Sequence, residues 1–146
     1  MKTFKNYIDE SHQIKLNGKS VNITLPYRSK EDKLVIINTA KFDTAFKKDK
    51  DFYIGKGGAG SIKGRYKGFE LFALGGKEEL VPGVSIDHSP TNSIEASEVD
   101  VDKDGNVSFT NGRHRYAWMR DHGIKDIYVA MNKQSIKNAK RHGLIK

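Results

Sequence analysis

The amino-acid sequence predicts an α+β fold in a single domain, and three observations carry that expectation. Gln13 to Leu25 alternates apolar and polar side chains around Asn17-Gly18, the pattern of a β-hairpin. Lys33 to Asn38 is a compact apolar run that leads directly into a helix-forming segment. Val107 to Met131 reads as strand, turn, helix and strand in succession. A length of 146 residues suits one domain and suffices to bury a core. No internal repeat or linker-like segment divides the chain.

The elements follow in order. Met1 to Glu10 is polar with scattered aromatics and reads as an arm or short helix. Pro26 ends the hairpin. Lys33 to Asn38 is expected to be a buried strand, and Asn38 or Thr39 can cap a helix from Ala40 to Lys48 with Phe42, Ala45 and Phe46 on one face. Phe52 to Ile54 reads as a short strand before a glycine loop (Gly55, Gly57, Gly58, Gly60, Gly64), followed by a helix from about Ser61 to Leu74 that Gly75-Gly76 stops. Glu79 to Ile86 is a further strand broken by Pro82-Gly83, and Asp87 to Ser93 a loop. Ile94 to Val101 alternates as a half-exposed strand, which Asp102 to Gly105 turns into Val107–Phe109. After the helix that ends at Gly123 come a strand, Ile127 to Met131, and a basic helix, Gln134 to His142, stopped by Gly143.

The chemistry concentrates at the turn Asn111-Gly112 and the helix start behind it. Arg113, His114 and Arg115 lie where free backbone N–H groups and the positive end of the helix dipole already favour an anion. Two arginines can fork phosphate oxygens, and Gly112 lets the backbone approach closely. His114 can donate to such an anion or act as acid or base; its ring can equally bond a neighbouring carbonyl. Arg115 is expected to be a ligand-facing residue outside the core, so that Arg115→Ala abolishes anion binding and leaves the fold intact. Tyr116, Trp118 and Met119 are core by spacing, while Arg120 and Asp121 are expected on the helix surface. The glycine loop is a second candidate cradle: Gly57, Gly58 and Gly60 leave amides open, and Lys56, Lys63 and Arg65 supply charge. It lacks the Gly-Lys-[Ser/Thr] triplet of a P-loop, and a flexible loop with solvated lysines fits as well.

The run NGRHRYAWMRDHGIKDIYVAM resembles the signature box of the ParB/sulfiredoxin superfamily, over roughly Ile94 to Met131. That resemblance implies a small mixed, partly barrelled sheet with flanking helices, and a turn that holds nucleotide phosphates. ParB-type boxes resemble G-E-R-R-[YW] and sulfiredoxin boxes G-C-H-R-[YF]; here the run is Gly112-Arg113-His114-Arg115-Tyr116. Arg113 stands in place of both the sulfiredoxin cysteine and the ParB-type glutamate. With no cysteine anywhere, sulfinic acid reduction is excluded. The implied activity is ATP or other nucleotide binding, extending to phosphotransfer or nucleotide hydrolysis. Magnesium would then neutralise the phosphate, with Glu95, Glu98 and Asp87 as the candidate carboxylates, Glu95 and Glu98 standing with His114 as catalytic candidates.

Other constellations fail. Asp100-x-Asp102-x-Asp104-Gly105 starts like a calcium loop, but Asn111 occupies the position that needs a bidentate glutamate, so a hairpin turn is expected. The five histidines show no zinc-ligand spacing. No G-x-S-x-G elbow exists, and Asp87-His88 reads as an Asx-type turn beside an exposed imidazole.

Charge bounds the partners. The chain carries 26 Lys/Arg and 18 Asp/Glu, a net +8. Arg113 to Lys146 holds nine cations against Asp121 and Asp126, whereas Glu78 to Asp104 holds eight acids against Lys103. The basic part can meet a nucleic-acid backbone through these arginines and a C-terminal face of Lys137, Lys140 and Arg141. The acidic part can meet a host protein, as in a phage- or mobile-element-type accessory protein. No apolar run reaches membrane-spanning length and the N-terminus lacks a signal-peptide stretch, so no membrane partner and a cytoplasmic location are expected.

Overall fold

The computed structural model describes residues 12–16, 18–26, 31–61, 64–73 and 93–146. The expectations for Met1–Glu10, for the strand at Glu79–Ile86, and for Lys63, Asp87 and His88 lie outside them. The described residues form β1 (Gln13–Leu16), β2 (Lys19–Thr24), β3 (Lys33–Ile36), helix α1 (Thr39–Phe46), a 3-10 turn (Lys56–Gly58) and helix α2 (Arg65–Ala73). They continue with β4 (Ser93–Glu95), β5 (Ser97–Val101), β6 (Val107–Asn111), helix α3 (Arg113–Asp121), β7 (Tyr128–Met131) and helix α4 (Lys133–Arg141). The fold is thus mixed α+β. No described helix is long and apolar enough to cross a membrane.

Two small mixed sheets stand where one partly barrelled sheet was expected. One has the order β1-β2-β4 and the other β3-β7-β5-β6, and neither closes on itself among the described strands. The hairpin forms around the predicted turn, with Leu16 opposite Lys19 and Ile14, Leu16, Val21 and Ile23 buried. β4 runs parallel to β2, and Ala96 N–H still bonds Thr24 O at 2.9 Å. One residue later the chain enters the other sheet as β5. The single strand expected from Ile94 to Val101 is therefore two, bent at Ala96, because two consecutive side chains, Ala96 and Ser97, are buried and the alternation changes phase. The expected strand at Phe52–Ile54 is absent; an isolated bridge pairs Gly55 with Ala59 instead.

Local signals explain the helices. Asn38 caps α1 by accepting from Lys41 N–H, and Phe42, Ala45 and Phe46 are buried as their spacing requires. The rings of Phe42, Phe46, Phe109 and Tyr116 meet with centroids 4.7–5.9 Å apart and join α1 to β6 and α3. Asn132 caps α4 through Ser135 N–H. Two buried side chains of α4 then serve the backbone of Val101: Ser135 Oγ accepts its N–H at 3.0 Å, and Asn138 Nδ2 donates to its carbonyl at 2.9 Å. The Asp102–Gly105 segment is the expected turn, with Asp102 Oδ1 accepting from Asp104 N–H and Asn106 N–H at 2.9 Å each.

Candidate functional site

β6 runs to Asn111, which lies opposite Glu98 in β5, and Gly112 then turns the chain into α3. Gly112 has φ 85° and ψ 16°, in the left-handed region. A Cβ there would lie 2.6 Å from Ser97 Oγ and 2.7 Å from Arg115 Nη2, so conformation and space both demand glycine. Ser97 holds the turn from beneath, its hydroxyl donating to Gly112 O at 2.7 Å. No side chain caps α3, and the first helical amide to bond backward is Tyr116 N–H, to Gly112 O at 3.0 Å. By helix geometry the amides of Arg113, His114 and Arg115 have no intrahelical partner.

The side chains around this helix start are cationic. Arg113 Nη1 donates to Phe52 O at 3.0 Å, and its guanidinium lies over the Phe52 ring, 5.4 Å from the centroid. Arg65, which opens α2, joins the group from a second helix start. Burial, then Arg65, pulls the proton affinity of Arg113 below the ordinary arginine value, with Asp49 acting against that. His114 is only 9% exposed. Burial, then Arg113, Arg65 and Arg115, pushes it down to about 4, so the imidazole is neutral at pH 7. Its Nε2, together with Arg65 Nε, is buried without a hydrogen-bond partner among the described residues. Buried polar atoms are nearly always paired, so such a pair is unusual in a folded protein. Together these groups form a cationic, donor-rich cluster.

The expected residues Arg65, Gly112, Arg113, His114 and Arg115 are brought together. Arg115 corrects the expectation of a residue outside the core: it is 3% exposed and packs beside Gly112 and Ser97. Glu98 is half-buried on β5, its strand position alternating with buried Ser97 and Val99, and Glu95 is half-buried on β4. Glu98 is paired across the strands with Asn111, the last residue before the turn. The glycine loop closes on itself and on α3. Gly57 N–H donates to Asp121 Oδ2 at 2.8 Å, Gly58 N–H to Gly55 O and Gly55 N–H to Ala59 O. A Cβ on Gly58 would meet Tyr66 Cγ at 2.9 Å, so close packing against that ring requires this glycine. The amides of Gly57 and Gly58 are thus engaged inside the protein, Gly60 is exposed near Tyr53 O, and Lys56 is exposed. The carboxylate of Asp121 takes the place an external phosphate was expected to fill.

Asp121 belongs to a network that holds the site together. Arg120 Nη1 donates to Asp43 Oδ1 at 2.9 Å and to Ile54 O at 2.6 Å, and Arg120 Nε donates to Asp121 Oδ1 at 3.0 Å. Asp43 also accepts from Tyr116 (2.6 Å) and Tyr53 (2.8 Å), and Asp121 from Tyr66 (2.8 Å). Burial and these carboxylates push the hydroxyls of Tyr116 and Tyr66 well above the usual phenol range. Arg120 and Asp121, expected on the helix surface, are 11% and 8% exposed in their side chains. The i, i+4 spacing of Tyr116 and Arg120 is the one local signal for their shared face. Apart from Asp121, adjacent to Arg120, their partners are more than fifty residues away. A separate groove of about 530 Å³ lies between α1, the β5–β6 hairpin and α4, with Asp49, Asp100 and Asp102 on its walls. Its buried Ser135 and Asn138 are satisfied, and its acids do not suit an anion.

Comparison with known proteins finds no matching family model, no matching characterised protein and no matching solved structure.

Two outcomes follow for stability. Arg120→Met leaves the half-buried Asp43 and Asp121 without their cation and is expected to cost about 2 kcal/mol in chemical denaturation; a loss below about 0.5 kcal/mol contradicts the network. His114 protonates near 6.5 when unfolded but only near 4 when folded. Between those values the unfolded chain binds more protons, so the stability is complete above pH 6.5 and is lost as the pH falls toward 4, by roughly 2–3 kcal/mol. Denaturation curves of wild type and His114→Gln are expected to converge over that window; curves that stay parallel refute the neutral imidazole.

Proposed function

We propose that this protein binds a phosphate-bearing ligand at the start of α3, with Gly112 and the amides behind it contacting the anion and Arg113 and Arg65 flanking it. The observation that carries this reading is the pair of buried atoms without a hydrogen-bond partner among the described residues, His114 Nε2 and Arg65 Nε, beside an uncapped helix N-terminus. A cluster that gathers arginines tightly enough to depress His114 is electrostatically unfavourable alone, and an anion relieves it. Neutral His114 offers one ring nitrogen as donor and one as acceptor, suited to a protonated or esterified phosphate. The box resemblance supports the same reading, that of a ParB/sulfiredoxin-like domain whose ligand is a nucleotide such as ATP. Arg115 acts as a positioning residue packed beneath the turn.

The described residues here do not fit a magnesium site. No three described His, Asp or Glu side chains are grouped to hold a metal, and the named neighbours of His114 are cations. The test is thermal shift with inorganic phosphate, ATP, CTP, GTP and a short DNA duplex, in wild type, Arg65→Gln and Arg113→Gln. A phosphate- or nucleotide-dependent rise in Tm that both variants weaken by at least about tenfold in ligand concentration supports the site, since each removes a charged contact. A rise only with DNA, fading with salt, moves the reading to nucleic-acid backbone contact. No rise with any ligand overturns it and leaves a protein partner as the reading to pursue.

A further inference from the structure

We infer that Phe52 is a stacking platform for a nucleobase, so that the ligand of the α3 site is a nucleotide unit rather than a simple phosphate; this rests on the anion-binding reading above. An exposed aromatic residue is ordinary on a protein surface. Phe52 differs in three ways. It is the one large hydrophobic residue recorded as exposed among the described residues, at 56%. Its backbone is pinned at both ends, the N–H by Asp49 Oδ1 at 3.2 Å and the carbonyl by Arg113 Nη1 at 3.0 Å. Finally, the residue that pins it is the first of α3, and that residue's guanidinium lies over the ring at 5.4 Å.

The consequence is geometric. Arg113 links the exposed ring to the helix start: its backbone opens α3 and its guanidinium lies over the ring, so a base on Phe52 and a phosphate at the helix start would share one residue as neighbour. The backbone that carries the ring is held on both sides, which limits the conformational entropy lost when a base stacks on it. Arg113 extends the platform, since guanidinium planes as well as aromatic faces stack on bases. The surrounding stretch is net basic at the surface, with Lys47, Lys48, Lys50 and Lys56 exposed against Asp49 and Asp51, which favours a polyanionic ligand near the ring. Stacking reads the π-face that every base has, so the platform selects for a base without choosing among bases.

The experiment is calorimetric binding of inorganic phosphate, ribose 5-phosphate, adenosine 5′-monophosphate and a short single-stranded oligonucleotide to the full chain, in wild type, Phe52→Ala and Phe52→Trp. Wild type is expected to prefer adenosine 5′-monophosphate over ribose 5-phosphate by roughly tenfold or more, the usual worth of one stacked base. Phe52→Ala is expected to erase that preference while ribose 5-phosphate binds as before; Phe52→Trp is expected to keep it. A tighter, salt-dependent oligonucleotide complex with the same Phe52 dependence identifies a polynucleotide as the source of the unit. Phosphate and ribose 5-phosphate binding with no gain from the base, or a gain that survives Phe52→Ala, overturns the platform and leaves the anion site standing. Absence of binding by every probe overturns both.

Discussion

The guanidinium of Arg120 is the interaction on which the rest of the structure depends. It lies between two carboxylates, Asp43 on α1 and Asp121 beside it on α3, and also bonds the carbonyl of Ile54. Through Asp43 it is joined to Tyr53 and Tyr116, and through Asp121 to Tyr66 and Gly57. One half-buried cation thereby fixes α1, the segment from Tyr53 to Gly57, α2 and α3 against each other. The geometry is favourable because each carboxylate is saturated: its oxygens take the arginine, a hydroxyl or an amide. A buried ion pair is a poor stabiliser when its lone pairs are left over; here they are used.

That network explains why a charged cluster can exist a short distance away. Arg65 and Arg113 sit at the starts of α2 and α3, and both depress His114. Like charges held together destabilise a fold unless something rigid keeps them there. Tyr66, one residue beyond Arg65, is tied to Asp121 at the far end of α3, so α2 is held against α3. The same ties fix the chain at Ile54, two residues from Phe52, which places the exposed ring under Arg113. A carboxylate of the protein satisfies the glycine loop, and the arginines at the helix starts are left for something else. Division of labour is the physical content of the site: an acid at the far end of α3 anchors it, and the cations gather at its start.

Local features were readable in the sequence. The Asn17-Gly18 hairpin, the Asn38 cap and the Asp102 turn each depend on residues within a few positions of one another, and so does the cationic run after Gly112. Features set by distant partners were not. Arg115 is polar and sits on a first helical turn, yet it is buried because Ser97, from another strand, packs against the glycine beside it. Asp121 gives no sign in the sequence that it will occupy an amide of a loop 64 residues away. The change of sheet at Ala96 was hidden for a related reason. Ala96 and Ser97 are small enough to be buried in succession, and alternation alone does not reveal a bend.

The most direct test of the account is the titration of the His114 ring by nuclear magnetic resonance, with and without inorganic sulfate. Sulfate keeps its charge across the range and so isolates the site from the ligand's own protonation. The account predicts a midpoint near 4 in the free protein, where burial and Arg113, Arg65 and Arg115 oppose the charge, and a clear upward move when the anion enters. A midpoint near the ordinary 6.5, unmoved by sulfate, would contradict the cationic cluster and with it the anion site.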